Sequence, residues 1–130
     1  MRNILFVIMA SVLLACNSER KVLSARDNIE SYIEREPKDA LNELRRMKNE
    51  IVASKKAKAK YALLYSIALD KNYIDLTNDS IINPAIEYFS NKGSNDEKLL
   101  VHYYMGRIYQ NAADLSNAAV STTYLVSCSM

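Results

Sequence analysis

The stretch that decides the fold is Leu100–Ala118, which reads LVHYYMGRIYQNAADLSNA. Its apolar and aromatic side chains recur at the spacing of an α-helix as far as Tyr109. A short turn follows, and the Asp114 carboxylate can cap a helix that comes after it. We therefore predict a helical hairpin, with one helix before the turn and a second helix from Leu115 onward.

Helix start and stop signals precede this hairpin. Ser94 and Glu97 form a capping box, which predicts the start of the first helix of the hairpin. Gly93 is expected to end the helix before it in the manner of a C-terminal glycine. Ser80 is expected to cap that earlier helix, and Pro84 fits its first turn, where backbone N–H groups lack helical partners. Residues 80–93 are therefore predicted to contain the fourth helix of the chain.

Three earlier helices are predicted by the same spacing of apolar residues. The first ends before Pro37, because proline disfavours a helical residue ahead of it, and Pro37 then opens the second. Ser54 can cap the third helix, which is followed by a loop over Asn72–Asp79. The chain contains only 2 glycines and 2 prolines, fewer than sheets and their turns need. The predicted fold class is all-α, with stacked antiparallel hairpins made of helices 1 and 2, 3 and 4, and 5 and 6.

The stretch quoted first resembles a tetratricopeptide repeat. The residues that carry the resemblance are Met105, Gly106, Tyr109, the turn Ala112-Ala113-Asp114-Leu115 and Ala118. Gly106 has no side chain, so a neighbouring helix can approach it closely, and Tyr109 fills the space beside it. Ala118 gives the second helix its own close crossing point. The resemblance implies a tetratricopeptide-like α-solenoid, in which stacked repeats bury each other's faces.

Some positions depart from the family's pattern. Ala113 stands where glycine is usual, and Thr122 stands where a large aromatic residue is usual. Lys55–Phe89 and Ser24–Ile51 are looser copies of the repeat. The last predicted helix has no charged residue from Ala118 onward, whereas a terminal repeat usually has a polar cap. We therefore expect either a truncated array or a surface that a partner completes.

The first residues have the order of an export signal, with a cationic head before the apolar run Ile4–Leu14. The run is shorter than the roughly 20 residues of a spanning helix. The sequence Leu13-Leu14-Ala15-Cys16 resembles a bacterial lipobox, which implies cleavage between Ala15 and Cys16 and acylation at Cys16. The alternative is an ordinary secretory signal with an incidental cysteine. The predicted domains are a lipoprotein signal peptide over 1–15, a lipidated tether over 16–23 and a helical-repeat domain over 24–130.

The whole chain resembles the amino-terminal part of envelope lipoproteins that carry tetratricopeptide arrays, which are usually longer. The resemblance implies a lipid-anchored scaffold or adaptor of the bacterial cell envelope, holding a protein or peptide partner in the groove between successive first helices. Tyr65 and Tyr104 are the candidate groove residues, because tyrosine joins a large apolar ring to a polar tip. Asn17 after the cysteine favours the outer membrane by analogy with some bacteria. The alternative is capture of glycan or another nutrient, although sugar platforms normally include tryptophan and the chain has none.

The composition argues against nucleic acid binding and against catalysis. The formal charge is +2, far from the basic excess expected of a nucleic-acid-binding protein. His102 is the single histidine, and we expect a packed or groove-lining imidazole rather than a catalyst. Asp75 and Asp79 lack the glycine and the glutamate of a calcium loop. We therefore expect neither a metal nor another cofactor, and no enzymatic activity.

The densest basic run consists of Lys55, Lys56, Lys58 and Lys60. On a helix these side chains point around more than half of the circumference, which is typical of a solvated face. The alternative is attraction to anionic lipid headgroups, since a lipid anchor would hold the chain at a membrane surface.

Overall fold

The computed structural model of the chain describes residues 20–49 and 54–128. Its helices are α1 over residues 20–32, α2 Pro37–Met47, α3 Lys55–Lys71, α4 Asn83–Lys92, α5 Asn95–Asn111 and α6 Leu115–Cys128. Within these two ranges no residue is in a strand, and the predicted all-α fold is confirmed. The predicted signal peptide, the cleavage site at Ala15 and Cys16, and Asn17 lie outside the described residues.

The two helices of the last hairpin, α5 and α6, run in opposite directions. Near the middle of α5, the His102 ring stacks on the ring of Tyr124 in the second half of α6, with centroids 4.8 Å apart. One turn further along α5, Gly106 faces Ser121, which comes earlier in α6. The residue number rises along α5 while the number of its contact in α6 falls, so the two helices are antiparallel. The turn at residues 112–114 joins them.

The first helices of the first and second hairpins, α1 and α3, run in the same direction. Near the start of α3, the Arg26 guanidinium donates to the Ala57 carbonyl at 2.5 Å. At the end of α3, the Lys71 ammonium lies 2.5 Å from the carboxylate of Glu34, just beyond α1. The start of α1 therefore lies beside the start of α3.

The first helix of the third hairpin, α5, follows the same direction as α3. Ser66 of α3 and Tyr104 of α5 line one small cavity. One turn further along both helices, the Arg107 guanidinium binds the Asp70 carboxylate at 2.9 Å. The helices α1, α3 and α5 therefore form a parallel row.

The core is built around α3, which is buried on most of its circumference. Its neighbours place large side chains against it that are at most 1% exposed: Ile29 of α1, Leu44 of α2, Phe89 of α4 and Val101 of α5. A helix that is apolar on most sides must be enclosed by other elements to keep that surface from water. The central position of α3 follows from this composition.

The predicted cap residues act at three helix starts, one of them that of α6, where the Asp114 carboxylate accepts the Asn117 N–H at 3.2 Å. The Ser94 hydroxyl accepts the Glu97 N–H at 3.2 Å, and the Glu97 carboxylate accepts the Ser94 N–H at 2.8 Å, which completes the capping box. The Ser54 hydroxyl accepts the Ala57 N–H at 3.4 Å at the start of α3. The second helix begins at Pro37. These local predictions are confirmed.

The fourth helix begins and ends differently from the prediction. Ser80 does not cap it, because the Ser80 N–H binds the Asn78 side chain at 3.2 Å and forms a turn, and the helix begins only at Asn83. The helix does end at Gly93, but with φ −75° and ψ 156° instead of the left-handed conformation. Glycine is required there because a Cβ would lie 2.6 Å from the Phe89 carbonyl oxygen.

The first helix begins earlier than the sequence predicts. The predicted tether extends over residues 16–23, whereas residues 20–23 are already helical. The Val22 side chain packs against the core. Burial of this apolar side chain stabilises the helical conformation of the segment.

The turn between α5 and α6 contains a strained residue, Ala113, whose φ is +58°. A left-handed conformation costs a residue with a Cβ about 1–2 kcal/mol and costs glycine little. We expect Ala113→Gly to raise the free energy of unfolding in urea by about 1 kcal/mol. The matched control is Ala112→Gly, because Ala112 has a φ of −79° and should lose stability. An equal change in both variants would contradict the assignment of strain to Ala113.

Candidate functional site

The residues that carry the repeat resemblance lie along the α5–α6 hairpin. Gly106 and Ala118 are buried, and Met105 and Tyr109 are half-buried. A Cβ built on Gly106 would lie 3.5 Å from the Ser121 Cβ, so α6 passes close to α5 at this point. Gly106 therefore acts as the sequence predicts, at a close approach of two helices.

Tyr109 links the last hairpin to the loop between α3 and α4. Its hydroxyl donates to the Asp79 carboxylate at 3.4 Å. Burial, followed by the nearby Asp79 charge, raises the pKa of Tyr109. The hydroxyl therefore stays protonated and remains a hydrogen-bond donor at neutral pH.

Tyr104, predicted to line a partner groove, belongs to the core instead. It is only 5% exposed and faces Asp70 of α3 across the small cavity between the two helices. Burial raises the pKa of Tyr104, and the Asp70 charge raises it further. Val101, Tyr104 and Ile108 recur at the spacing of one helix face and are all buried. The ring of Tyr104 is therefore covered by the chain's own residues.

Tyr65, the other predicted groove residue, is half-buried next to α2. Its ring stacks on that of Tyr61, with centroids 5.6 Å apart. The Tyr61 hydroxyl donates to the Leu44 carbonyl of α2 at 3.2 Å. The structure therefore does not bring Tyr65 and Tyr104 together on one exposed surface.

The helices α1, α3 and α5 form one surface, which we call the first-helix face. Ion pairs connect neighbouring helices across it. Between α1 and α3, the Lys60 ammonium pairs with Glu30 and lies 3.5 Å from Asp27. Toward the other end of α3, Lys71 pairs with Glu34. Lys60 is thus engaged, and the prediction of a solvated lysine run does not hold for this member.

Tyr103 is the exposed aromatic side chain of α5 on the first-helix face. It lies one turn before Arg107, which pairs with Asp70 of α3, and residues four apart share a side of a helix. It is 46% exposed and packs edge-on against Tyr104, with centroids 5.0 Å apart. Tyr104 was the predicted groove residue of α5, whereas its neighbour Tyr103 is the exposed one. The apolar spacing of Val101, Tyr104 and Ile108 was the signal that assigns Tyr104 to the core and Tyr103 to the surface.

His102 packs inside the last hairpin. Its ring stacks on Tyr124, and its Nδ1 atom is buried without a hydrogen-bond partner among the described residues. Burial lowers the pKa of His102, which favours the neutral imidazole. This arrangement is the packed imidazole that the sequence favours over a catalyst.

One end of the helix stack carries most of the exposed basic side chains. Because successive helices alternate in direction, this end contains the starts of α1, α3 and α5 and the ends of α2 and α4. We call it the basic end, and its basic residues are Arg20, Lys21, Arg45, Arg46, Lys48, Lys55, Lys56, Lys58, Lys92 and Lys98. The acidic residues in the first turn of α5 are Asp96 and Glu97, and Glu97 is engaged in the capping box.

An open groove at the basic end brings lysines of two helices together. Lys55 and Lys58 of α3 and Lys92 of α4 line it, together with Tyr88 and one acidic residue, Glu87. The Lys92 ammonium lies 5.9 Å from the centroid of the Tyr88 ring, within reach of a cation–π interaction. The groove is a place where several positive charges face the same volume of solvent.

The opposite end of the stack is predominantly acidic. Its acidic residues are Glu34, Glu36, Asp39, Asp70, Asp75, Asp79 and Asp114. The basic residues there are Lys71 and Arg107, which are paired with Glu34 and Asp70, and the exposed Arg35 and Lys38. The molecule is therefore polarised along the helix axes although its formal charge is only +2.

The outward face of α6 is uncharged and mixes apolar with small polar side chains. Leu115, Val120 and Val126 are each more than half exposed, and so is Tyr124, whose ring stacks on His102 with one face. No charged residue occurs in Leu115–Cys128. This surface matches the uncharged last helix that the sequence predicts.

Within residues 20–49 and 54–128, no helix combines the length and the apolar character needed to cross a membrane. The same residues contain no group of three or more His, Cys, Asp or Glu side chains placed to hold a metal ion. Comparisons with protein-family models, with curated proteins and with solved structures find no match to this chain. The candidate surfaces are therefore defined by the geometry of the chain itself.

Gly106 gives a test of the close helix approach. An alanine Cβ at 3.5 Å from Ser121 is an ordinary contact, and alanine favours a helix interior by about 1 kcal/mol over glycine. We therefore expect Gly106→Ala to retain or raise the free energy of unfolding. Gly106→Leu must displace the fully buried Ser121 and should lower it by about 1–3 kcal/mol through overpacking. Equal stability of the Ala and Leu variants in thermal and urea unfolding would discredit the close approach.

Proposed function

We propose that this chain is a lipid-anchored protein of the bacterial cell envelope whose tetratricopeptide-like helical hairpins bind a protein or peptide partner. The observation that carries the binding part is the parallel row of α1, α3 and α5, which supplies one continuous surface for an extended ligand. The sequence Leu13-Leu14-Ala15-Cys16 supports the anchoring part, through its resemblance to a lipobox.

The anchor would be the Cys16 residue after cleavage of the signal peptide. Acylation of the sulfur and of the new amino group supplies more than one chain, and two or more chains hold a protein stably on a bilayer. A helical array close to the membrane would then act as a scaffold or adaptor.

The ion pairs across the first-helix face support its use as a binding surface. Two ion pairs connect neighbouring helices, Lys60 with Glu30 and Arg107 with Asp70. Of the two pairs, Arg107 with Asp70 supplies charged groups near Tyr103, which is an exposed aromatic side chain of α5 on this face. Protein interfaces commonly combine an aromatic anchor with a polar rim.

Substitution of Cys16 tests the anchoring. We expect Cys16→Ser to move the protein from the membrane fraction to the soluble fraction of the producing cells, because no acyl chain can be attached. Cys128→Ser is the matched control and should remain with the membranes. Retention of Cys16→Ser in the membrane fraction after a high-salt wash would count against a lipid anchor.

Substitution of Tyr103 tests the binding surface. We expect Tyr103→Glu to remove most of the envelope proteins that crosslink to the wild-type protein in intact cells, because a charge replaces the aromatic anchor. Tyr73→Glu is the control, since Tyr73 is 94% exposed in the loop beyond the end of α3 and belongs to none of the first helices. Urea unfolding of both variants verifies that the fold is retained. The same crosslinked proteins in wild type and Tyr103→Glu would overturn the assignment of this surface.

A further inference from the structure

The basic end lies close to Cys16, the residue proposed to carry the lipid anchor. Residue 20 begins the described part of α1, at the same end of the stack as the start of α3. Cys16 precedes it by four positions, and an extended chain spans at most about 3.6 Å per residue. The Cα atoms of Cys16 and Arg20 therefore cannot be more than roughly 15 Å apart.

Six basic side chains at the basic end form no ion pair within the described residues. At the end of α2 and the start of α3, the exposed basic residues are Arg45, Arg46, Lys48, Lys55, Lys56 and Lys58. None of them is within ion-pair distance of an acidic side chain in the described part of the molecule. By contrast, the basic residues on the first-helix face are paired, as Lys60 is with Glu30.

The lysines at the start of α3 oppose the stability of their own helix. A helix N-terminus carries partial positive charge, so cations there are unfavourable and anions are favourable. The first turn of α3 contains Lys55 and Lys56 and no acidic residue. The first turn of α5 instead contains Asp96 and Glu97, the favourable arrangement. An external anion at the start of α3 would relieve the repulsion that the chain itself leaves in place.

We propose that the basic end is a docking surface for anionic lipid headgroups, and that it holds the helix stack upright on the membrane. The proposal deepens the lipid anchoring proposed above and depends on it for its location. An anionic bilayer attracts the basic end and repels the opposite end, where Asp75, Asp79 and Asp114 lie. The axes of α1, α3 and α5 then point toward the membrane surface. The first-helix face is not covered by the membrane and can bind a partner.

Binding of the unlipidated full chain to vesicles tests this surface. The Cys16→Ser protein is titrated with vesicles of phosphatidylcholine alone and of phosphatidylcholine mixed with phosphatidylglycerol, and the ratio of the two affinities is the readout. The ratio removes any contribution that the apolar run Ile4–Leu14 makes to both vesicles. We expect clearly tighter binding to the mixed vesicles, weakening as salt is added.

The variant Lys55→Glu/Lys56→Glu locates the surface. Each basic residue near an anionic membrane strengthens binding by roughly fivefold, so we expect the affinity for mixed vesicles to fall by at least about 25-fold. The same variant should unfold at a higher urea concentration, because acidic residues suit the start of α3. Weaker binding by a more stable protein cannot result from loss of the fold.

The matched control is Arg35→Glu/Lys38→Glu, which changes the net charge equally at the opposite end, near the start of α2. We expect it to retain the vesicle affinity of the parent protein. Equal affinity for both kinds of vesicle, or an equal loss in the two double variants, would overturn the docking surface. The fractionation of Cys16→Ser from cells reports on the anchor separately, so the anchor and the docking surface can fail independently.

Discussion

Burial of α3 is the constraint on which the rest of the structure depends. This helix exposes little apolar surface only because α1, α2, α4 and α5 all pack against it. A helix of this composition has no stable position at the edge of a molecule, since apolar surface left in water is costly. The helices before and after α3 are therefore needed to bury its apolar side chains. A single pair of helices from this chain would leave part of that surface in water.

Enclosure of α3 also determines which charges meet. The first helices lie parallel, and their ion pairs, such as Lys71 with Glu34 and Arg107 with Asp70, occur between helices more than 30 residues apart in sequence. The alternating direction of successive helices gathers, at one end of the stack, basic side chains that form no ion pair in the described part of the chain. A nearly neutral chain thus acquires a strong charge asymmetry, because the fold sorts charges that are interspersed in the sequence.

The features proposed for function are those that do little for folding. Lys55 and Lys56 oppose the dipole of their helix, Tyr103 exposes nearly half of its surface, and the outward face of α6 leaves apolar side chains in water. Residues that pack well, such as Tyr104 and Gly106, serve the interior instead. The contrast between Tyr103 and Tyr104 is a matter of one position on a helix, which separates a core side chain from a surface side chain by about 100°.

The sequence by itself determined the helical class, the turn before Leu115, and the helix starts at Pro37, Ser54 and Ser94, because these depend on apolar spacing and on bonds between residues a few positions apart. It did not determine the start of α4, because the Asn78 side chain binds the Ser80 N–H in a local turn that the capping pattern does not distinguish from a cap. Only the tertiary structure decided the pairing of Lys60 and the grouping of the basic end. The physical reason is that exposure and charge pairing depend on which helix faces meet, and that choice is made by distant side chains packing around α3.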